Sequence, residues 1–332
     1  MSSIGNAGVD RRWVLAYTRR RNARWGSGVN RTIGRASALV EDYLLAWILA
    51  AVLAGVAFPA LAGITRYSTG ILAVMVGSVS LTLSPAEFRR IDASALARPL
   101  AGHLLMPVLA FGVATALGFR PAVVTGFVVL GAVTPELVTP VMTELADGDT
   151  ALASTVLVVT GVGSLAFIPA ALATFAAGSL SVPTGVVVEQ LALAVVAPMA
   201  VAIALRARFP ERVGEHDAVY PGVSAAMVVL ILAGVAAANA HLVRSNTGLL
   251  ATVTVGAVAL NALGYGVGYA LGAGTERPTR VATTLSVGMR DFAVAAALVL
   301  AAGLPAVASL PAVAFGVVEM LSSAALARVF SR

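Results

Sequence analysis

Residues 286–300, SVGMRDFAVAAALVL, set Arg290 and Asp291 side by side inside an otherwise apolar run. Residues 131–149, GAVTPELVTPVMTELADGD, hold Glu136 between Pro135 and Pro140, with Thr139 one turn on. A guanidinium receives anionic groups in bidentate geometry, and carboxylates with hydroxyls hold hard cations or protons. Glu319 in FGVVEMLSSAALA, Asn261 and Tyr265 one turn apart, and His103 are further polar groups in apolar surroundings. These residues suit binding rather than bond cleavage: HExxH and SxxK are absent, and the DGD at 147–149 sits at an expected helix end. With no cysteine, and histidines only at 103, 216 and 241, neither a thiolate site nor a metal-binding histidine cluster is expected. No enzymatic activity and no resident cofactor are expected.

The elements that must position these groups are membrane helices. Of 332 residues 59% are hydrophobic and 11% charged, with a mean hydropathy of +0.92; a soluble domain carries about 25% charged residues. Lipid forces backbone groups to pair within a helix or a closed barrel, and long apolar runs without period-2 alternation select helices. Ten spans are expected, at 43–64, 68–84, 94–117, 122–146, 150–178, 184–206, 218–240, 246–273, 280–303 and 306–330.

Arginine placement tests this division. All 22 basic residues are arginine. With the N-terminus inside, 18 fall on the cytoplasmic side and only Arg66, Arg120 and Arg244 opposite, leaving Arg290 within a span. This asymmetry predicts a multi-pass membrane protein with both termini cytoplasmic, and arginine in place of lysine with abundant Ala, Val and Gly reads as a GC-rich bacterial genome, so the expected location is the bacterial inner membrane. Residues 1–42 are read as a basic tail, disordered and resting on anionic lipid, with no nucleic-acid role. No cleavable signal is expected, since WVLAY is too short an apolar core for one.

Spans four and nine are both interrupted near their middles, by Pro135 and Pro140 in one and by Gly288-Met289-Arg290-Asp291 in the other. Each is the fourth span of a five-span half, 43–178 and 184–330, and an odd number of spans inverts the second half. This is the pattern of an inverted-repeat secondary transporter with its site where broken helices meet at mid-membrane.

The stretches VGSVSLTLSPAEFRRI, HLLMPVLAFGVATALGF, VTPVMTELADGDTALASTV, LNALGYGVGYALG and LSVGMRDFAVAAALVLAAG occur in the order and spacing of the bile acid:sodium symporter family. The resemblance covers roughly residues 45–330. It implies an all-α fold of ten helices in panel and core domains, with helices four and nine crossing in the core. It also implies organic-anion substrates, such as bile salts, pantothenate and small keto acids, usually carried with sodium.

The departures bear on coupling. Where the family pattern in span nine is Glu-Val-Gly-Met-Gln-Asn-Ser, this chain has Ser286, Val287, Gly288, Met289, Arg290, Asp291 and Phe292. The span-four Ser and Asn of the family fall on Thr139 and Pro140, and the following Ser and Thr of its sodium site on Ala153 and Leu157. The third-span Gln falls on Gly102 or, with a one-residue slip, on His103. A fixed guanidinium repels a cation ~4 Å away by ~4 kcal/mol at an effective dielectric of 20. Sodium is therefore disfavoured, and a sodium-independent cycle, proton-coupled or facilitative, is expected. Arg290 is expected to bridge the broken helices with Asp291 or Glu136 as its countercharge, or to anchor substrate.

The expected substrate contacts are thus Arg290, Asp291, Phe292, Glu136, Thr139, Glu319 and Asn261. The expected ion-coupling residues are Ser286, Met289, Thr139, Glu136, Asp291 and His103. The alternative is sodium symport on backbone carbonyl ligands. Arsenite export is less favoured, since the fourth-span cysteine of those distant relatives is missing, and a non-transporting sensor stays open.

Overall fold

The computed structural model describes residues 43–83, 93–175 and 183–331, together with Ser37, Leu39 and Val40. Apart from those three residues, the expected basic tail lies outside the described residues. Ser37 is already helical and donates its hydroxyl to the carbonyl of Ala218 at 2.9 Å.

Among the described residues every regular element is helical and no strand occurs. The longer helices are α1 (Leu44–Ala57), α2 (Ser68–Ser80), α3 (Ala93–Ala116), α4 (Pro121–Ala132), α5 (Thr139–Leu145) and α6 (Thr150–Phe175). They continue as α7 (Thr184–Arg208), α8 (Tyr220–Ala238), α9 (Thr247–Leu271), α10 (Arg277–Gly288), α11 (Phe292–Ala301) and α12 (Leu310–Phe330). Among the described residues eight helical segments are long and apolar enough to cross a bilayer. Two shorter apolar helices, α1 and α4, match the remaining expected spans. Each falls short for a local reason: Pro59 opens a 3-10 stretch, Pro59–Tyr67, directly after α1, and α4 ends at the first break. The first two spans therefore differ from the expected 43–64 and 68–84, because the 3-10 stretch runs straight into α2 and fills the presumed loop.

The distribution of polarity is inverted relative to a soluble protein. Leu53, Leu104, Val162, Val201, Val255 and Leu321 are exposed, whereas Ser80, Glu136, Thr139, Arg290, Asp291, Glu319 and Ser323 are buried. Lipid receives the apolar faces, and ionisable groups turn to the interior. Prolines inside α3 (Pro99, Pro107) and α6 (Pro169), and the π turn Ala192–Val196 just ahead of Pro198 in α7, are tolerated because neighbouring helices enclose the disturbed backbone.

The helices pack in two groups. The first is α8 against α1, α2 and the 3-10 stretch, with α7 against α2; the second is α3, α4, α5, α6, α9, α10 and α12; α11 packs on both, and α6 also meets α7. Arg98 at the start of α3 donates to the carbonyls of Leu271 and Ala273 at the end of α9, both at 2.7 Å. Arg244 donates to the carbonyl of Ala57 at 3.2 Å, and to that of Val56, at the end of α1. Each arginine ties together two helix ends on one side of the molecule.

The segment formed by α10 and α11 is the most enclosed of the spans, with every residue from 281 to 299 buried. Both interruptions expected from the sequence are present. Helix α4 gives way at Val133, whose backbone is extended (ψ 162°), and α10 gives way at Met289 (ψ 136°).

Candidate functional site

At each break the backbone leaves the helical path and frees polar groups that lipid cannot satisfy. The two breaks satisfy each other. The N–H of Asp291 donates to the carbonyl of Thr134 at 3.0 Å. The guanidinium of Arg290 donates through Nη1 to the Val133 carbonyl at 3.0 Å and through Nη2 to the Val287 carbonyl at 2.9 Å, one from each break. Nη1 also reaches His103 Nδ1 at 2.6 Å. A guanidinium only donates, so Nδ1 accepts, and the neutral imidazole carries its proton on Nε2. His103 rests beside the Phe167 ring, 4.9 Å between centroids, which links α3 to α6 behind the arginine.

The backbone N–H of Arg290 donates to Glu319 Oε2 at 2.7 Å, so α12 also closes on the break. Asp291 is the N-cap of α11, its Oδ1 accepting the N–H of Val294 at 2.8 Å. A carboxylate there satisfies an orphan amide and complements the positive helix end.

Close backbone approaches hold this arrangement. A Cβ on Gly288 would stand 2.1 Å from the Tyr265 ring, and one on Gly316 would stand 2.5 Å from the Phe292 ring. Glycine is required at both, in the first case to let α10 end against α9 and in the second to seat Phe292 on α12.

The expected site residues are brought together, and all are at most 4% exposed. The expected countercharge is corrected. Neither Asp291 nor Glu136 forms an ion pair with Arg290; a side-chain ion pair lies elsewhere, between Arg206 and Asp217, 2.6 Å apart. Asp291 is turned to its capping role, and the guanidinium is held by carbonyls and an imidazole. Phe292 packs on Gly316, and Met289 joins Tyr265 and Leu285 in an apolar cluster. Asn261 accepts from Ser322 Oγ through Oδ1 at 2.8 Å.

Several buried atoms have no hydrogen-bond partner: Glu136 Oε2, Asp291 Oδ2, Glu319 Oε1, Thr139 Oγ1, Ser286 Oγ and Ser323 Oγ. Sequence reasoning missed the carbonyls of Val133, Thr134 and Val287, and the hydroxyl of Ser323. Backbone acceptors have no signature beyond the Pro135 and Gly288 that free them. Ser323 lies one turn from Glu319, a spacing that places both on one helix face.

Residues 69–246 match the model of the family described as "Sodium Bile acid symporter family". The chain is 26% identical over 296 residues, 86% of its length and 90% of the relative's, to "Uncharacterized sodium-dependent transporter YocS" of Bacillus subtilis (strain 168). With the family match spanning more than half of its residues, and with its buried polar crossover between broken helices, the chain belongs to the sodium bile acid symporter family.

Proposed function

We propose that this chain, of a family of membrane transporters rather than enzymes, carries a small or amphipathic organic anion across the bacterial cytoplasmic membrane, by alternating access and in symport with sodium. The observation that carries the sodium coupling is the similarity to a relative described as sodium-dependent along 90% of that protein. This favours the alternative over the sodium-independent cycle expected from the lost side-chain ligands. The moving parts in this reading are the two packing groups, a panel (α1, α2, α7, α8) and a core holding both breaks, arranged as two inverted five-helix repeats. The panel draws its spans from matching positions of the two halves, which supports the repeat. The anion is received beside Arg290, whose Nε is buried without a partner.

One observation speaks for sodium independence: the guanidinium already holds a carbonyl from each break, where a cation would find ligands. Uptake into proteoliposomes decides between the readings. A bile salt, pantothenate and a small 2-keto acid would be offered with an inward sodium gradient, a proton gradient or neither. Accumulation that needs the sodium gradient is the expected result; accumulation indifferent to sodium establishes the second reading.

A further inference from the structure

Resting on the sodium-coupled reading, we propose that the coupling cation is held by Glu319 and Glu136, with the hydroxyls of Thr139, Ser286 and Ser323, at a site distinct from the carbonyls that Arg290 occupies. Glu319, on α12, is the new member and the central ligand.

Charge is the first argument. Glu136, Asp291 and Glu319 are all buried, and of the three Glu319 lies within electrostatic reach of the buried Arg290 guanidinium. Glu136 lies within electrostatic reach of both Asp291 and Glu319. Three carboxylates and one arginine leave the crossover with more acidic groups than fixed positive charge, and a buried region tolerates ionised carboxylates only when a cation or a proton compensates them. Water satisfies a hydroxyl and a proton neutralises a carboxylate, whereas a single cation does both at once.

Ligand chemistry is the second argument. Each of the three carboxylates has one oxygen engaged or close to a backbone N–H and another without a partner. The buried hydroxyls of Thr139, Ser286 and Ser323 also lack partners. Thr139 donates its N–H to the Glu136 carbonyl at 2.9 Å, so these two side chains leave the same turn. Ser323 follows Glu319 by one turn on α12, and α12 packs on α5. Hydroxyl and carboxylate oxygens are the ligand set of a hard cation. Among the described residues no three acidic or histidine side chains group closely enough to enclose a metal. A site with few carboxylates and several hydroxyls suits a monovalent ion rather than a divalent one.

The test is ion binding by the purified full chain without substrate. Thermal unfolding is followed at fixed pH and ionic strength as choline is exchanged for sodium, with radioactive sodium binding measured alongside. A ligand bound only by the native state raises the midpoint with its concentration. Sodium is expected to stabilise the wild type, with an apparent affinity weakened at least tenfold in both Glu319→Gln and Glu136→Gln and unchanged in the exposed Glu189→Gln. Glu319→Gln keeps an acceptor for the Arg290 N–H; should it fail to fold, Ser323→Ala and Thr139→Val are each expected to weaken sodium several-fold. Undiminished sodium affinity in the foldable variants overturns the assignment, as does a wild type stabilised by acid but not by sodium. If uptake needs sodium while Glu319→Gln binds it normally, this site is wrong and the proposed coupling stands. If sodium binds here yet uptake ignores it, the site stands and the coupling falls.

Discussion

Arg290 decides the character of the crossover because one rigid fork serves the two breaks and His103 at once. A lysine ammonium is a compact point charge on a flexible stem and cannot span the same three acceptors. Arg290→Lys is therefore expected to destabilise the protein by about 3 kcal/mol, the scale of leaving buried partners of a charged group unpaired. A lowered unfolding midpoint in detergent would show it, and a midpoint unchanged from wild type would mean that the carbonyls find other donors. Its neighbour follows a different rule. As the N-cap of α11, Asp291→Ala is expected to cost ~1 kcal/mol, whereas Asp291→Asn, which keeps the accepting oxygen, should cost little in cap energy. The positions of both residues were legible, since charges inside an apolar run must face protein rather than lipid. Their partners were not. The sequence pointed to carboxylates for Arg290, but its acceptors are main-chain oxygens and an imidazole from a distant helix, which side-chain spacing cannot reveal.

Helix interruption was the feature best read ahead of the structure, because proline and glycine act locally on the backbone. Pro135 lies inside the non-helical stretch 133–138 and Pro140 in the first turn of α5 just after it, and Gly288 ends α10. What glycine does at 288 and 316 was not readable, since each is fixed by a ring from another element. Gly288→Ala and Gly316→Ala are both expected to destabilise the crossover and reduce uptake, because the added methyl meets an aromatic ring at 2.1 and 2.5 Å. Trimming the obstructing ring distinguishes this cause from loss of flexibility. The double variant Gly288→Ala/Tyr265→Ala should be more stable than the sum of its single changes implies, and additive losses would refute the steric account. The 3-10 stretch Pro59–Tyr67 and the π turn Ala192–Val196 escaped the sequence, since both arise where a regular apolar run meets a proline and its neighbours choose the local pitch.

At the scale of the whole molecule, eight of the ten expected spans correspond, among the described residues, to helical segments long and apolar enough to cross a bilayer and the other two to shorter apolar helices, and the two packing groups were beyond reach of hydropathy because pairing between helices leaves no period in either partner. Sidedness, by contrast, has a direct measure in arginine. Arg98 joins the start of α3 to the end of α9, and Arg244 joins the end of α1 to the helix preceding α9, so ends expected on one face of the membrane are tied together. Membrane orientation itself is set by which face carries the positive excess. The chain has no cysteine, so single replacements report their own side. Ala207→Cys, exposed between Arg206 and Arg208, is expected to react with a membrane-impermeant maleimide only after cells are permeabilised, and Ser245→Cys, exposed beside Arg244, in intact cells. Reversal of the two would place both termini outside and require that something other than arginine distribution orients the chain, while labelling of both from one side would mean that one fewer or one more segment crosses between them.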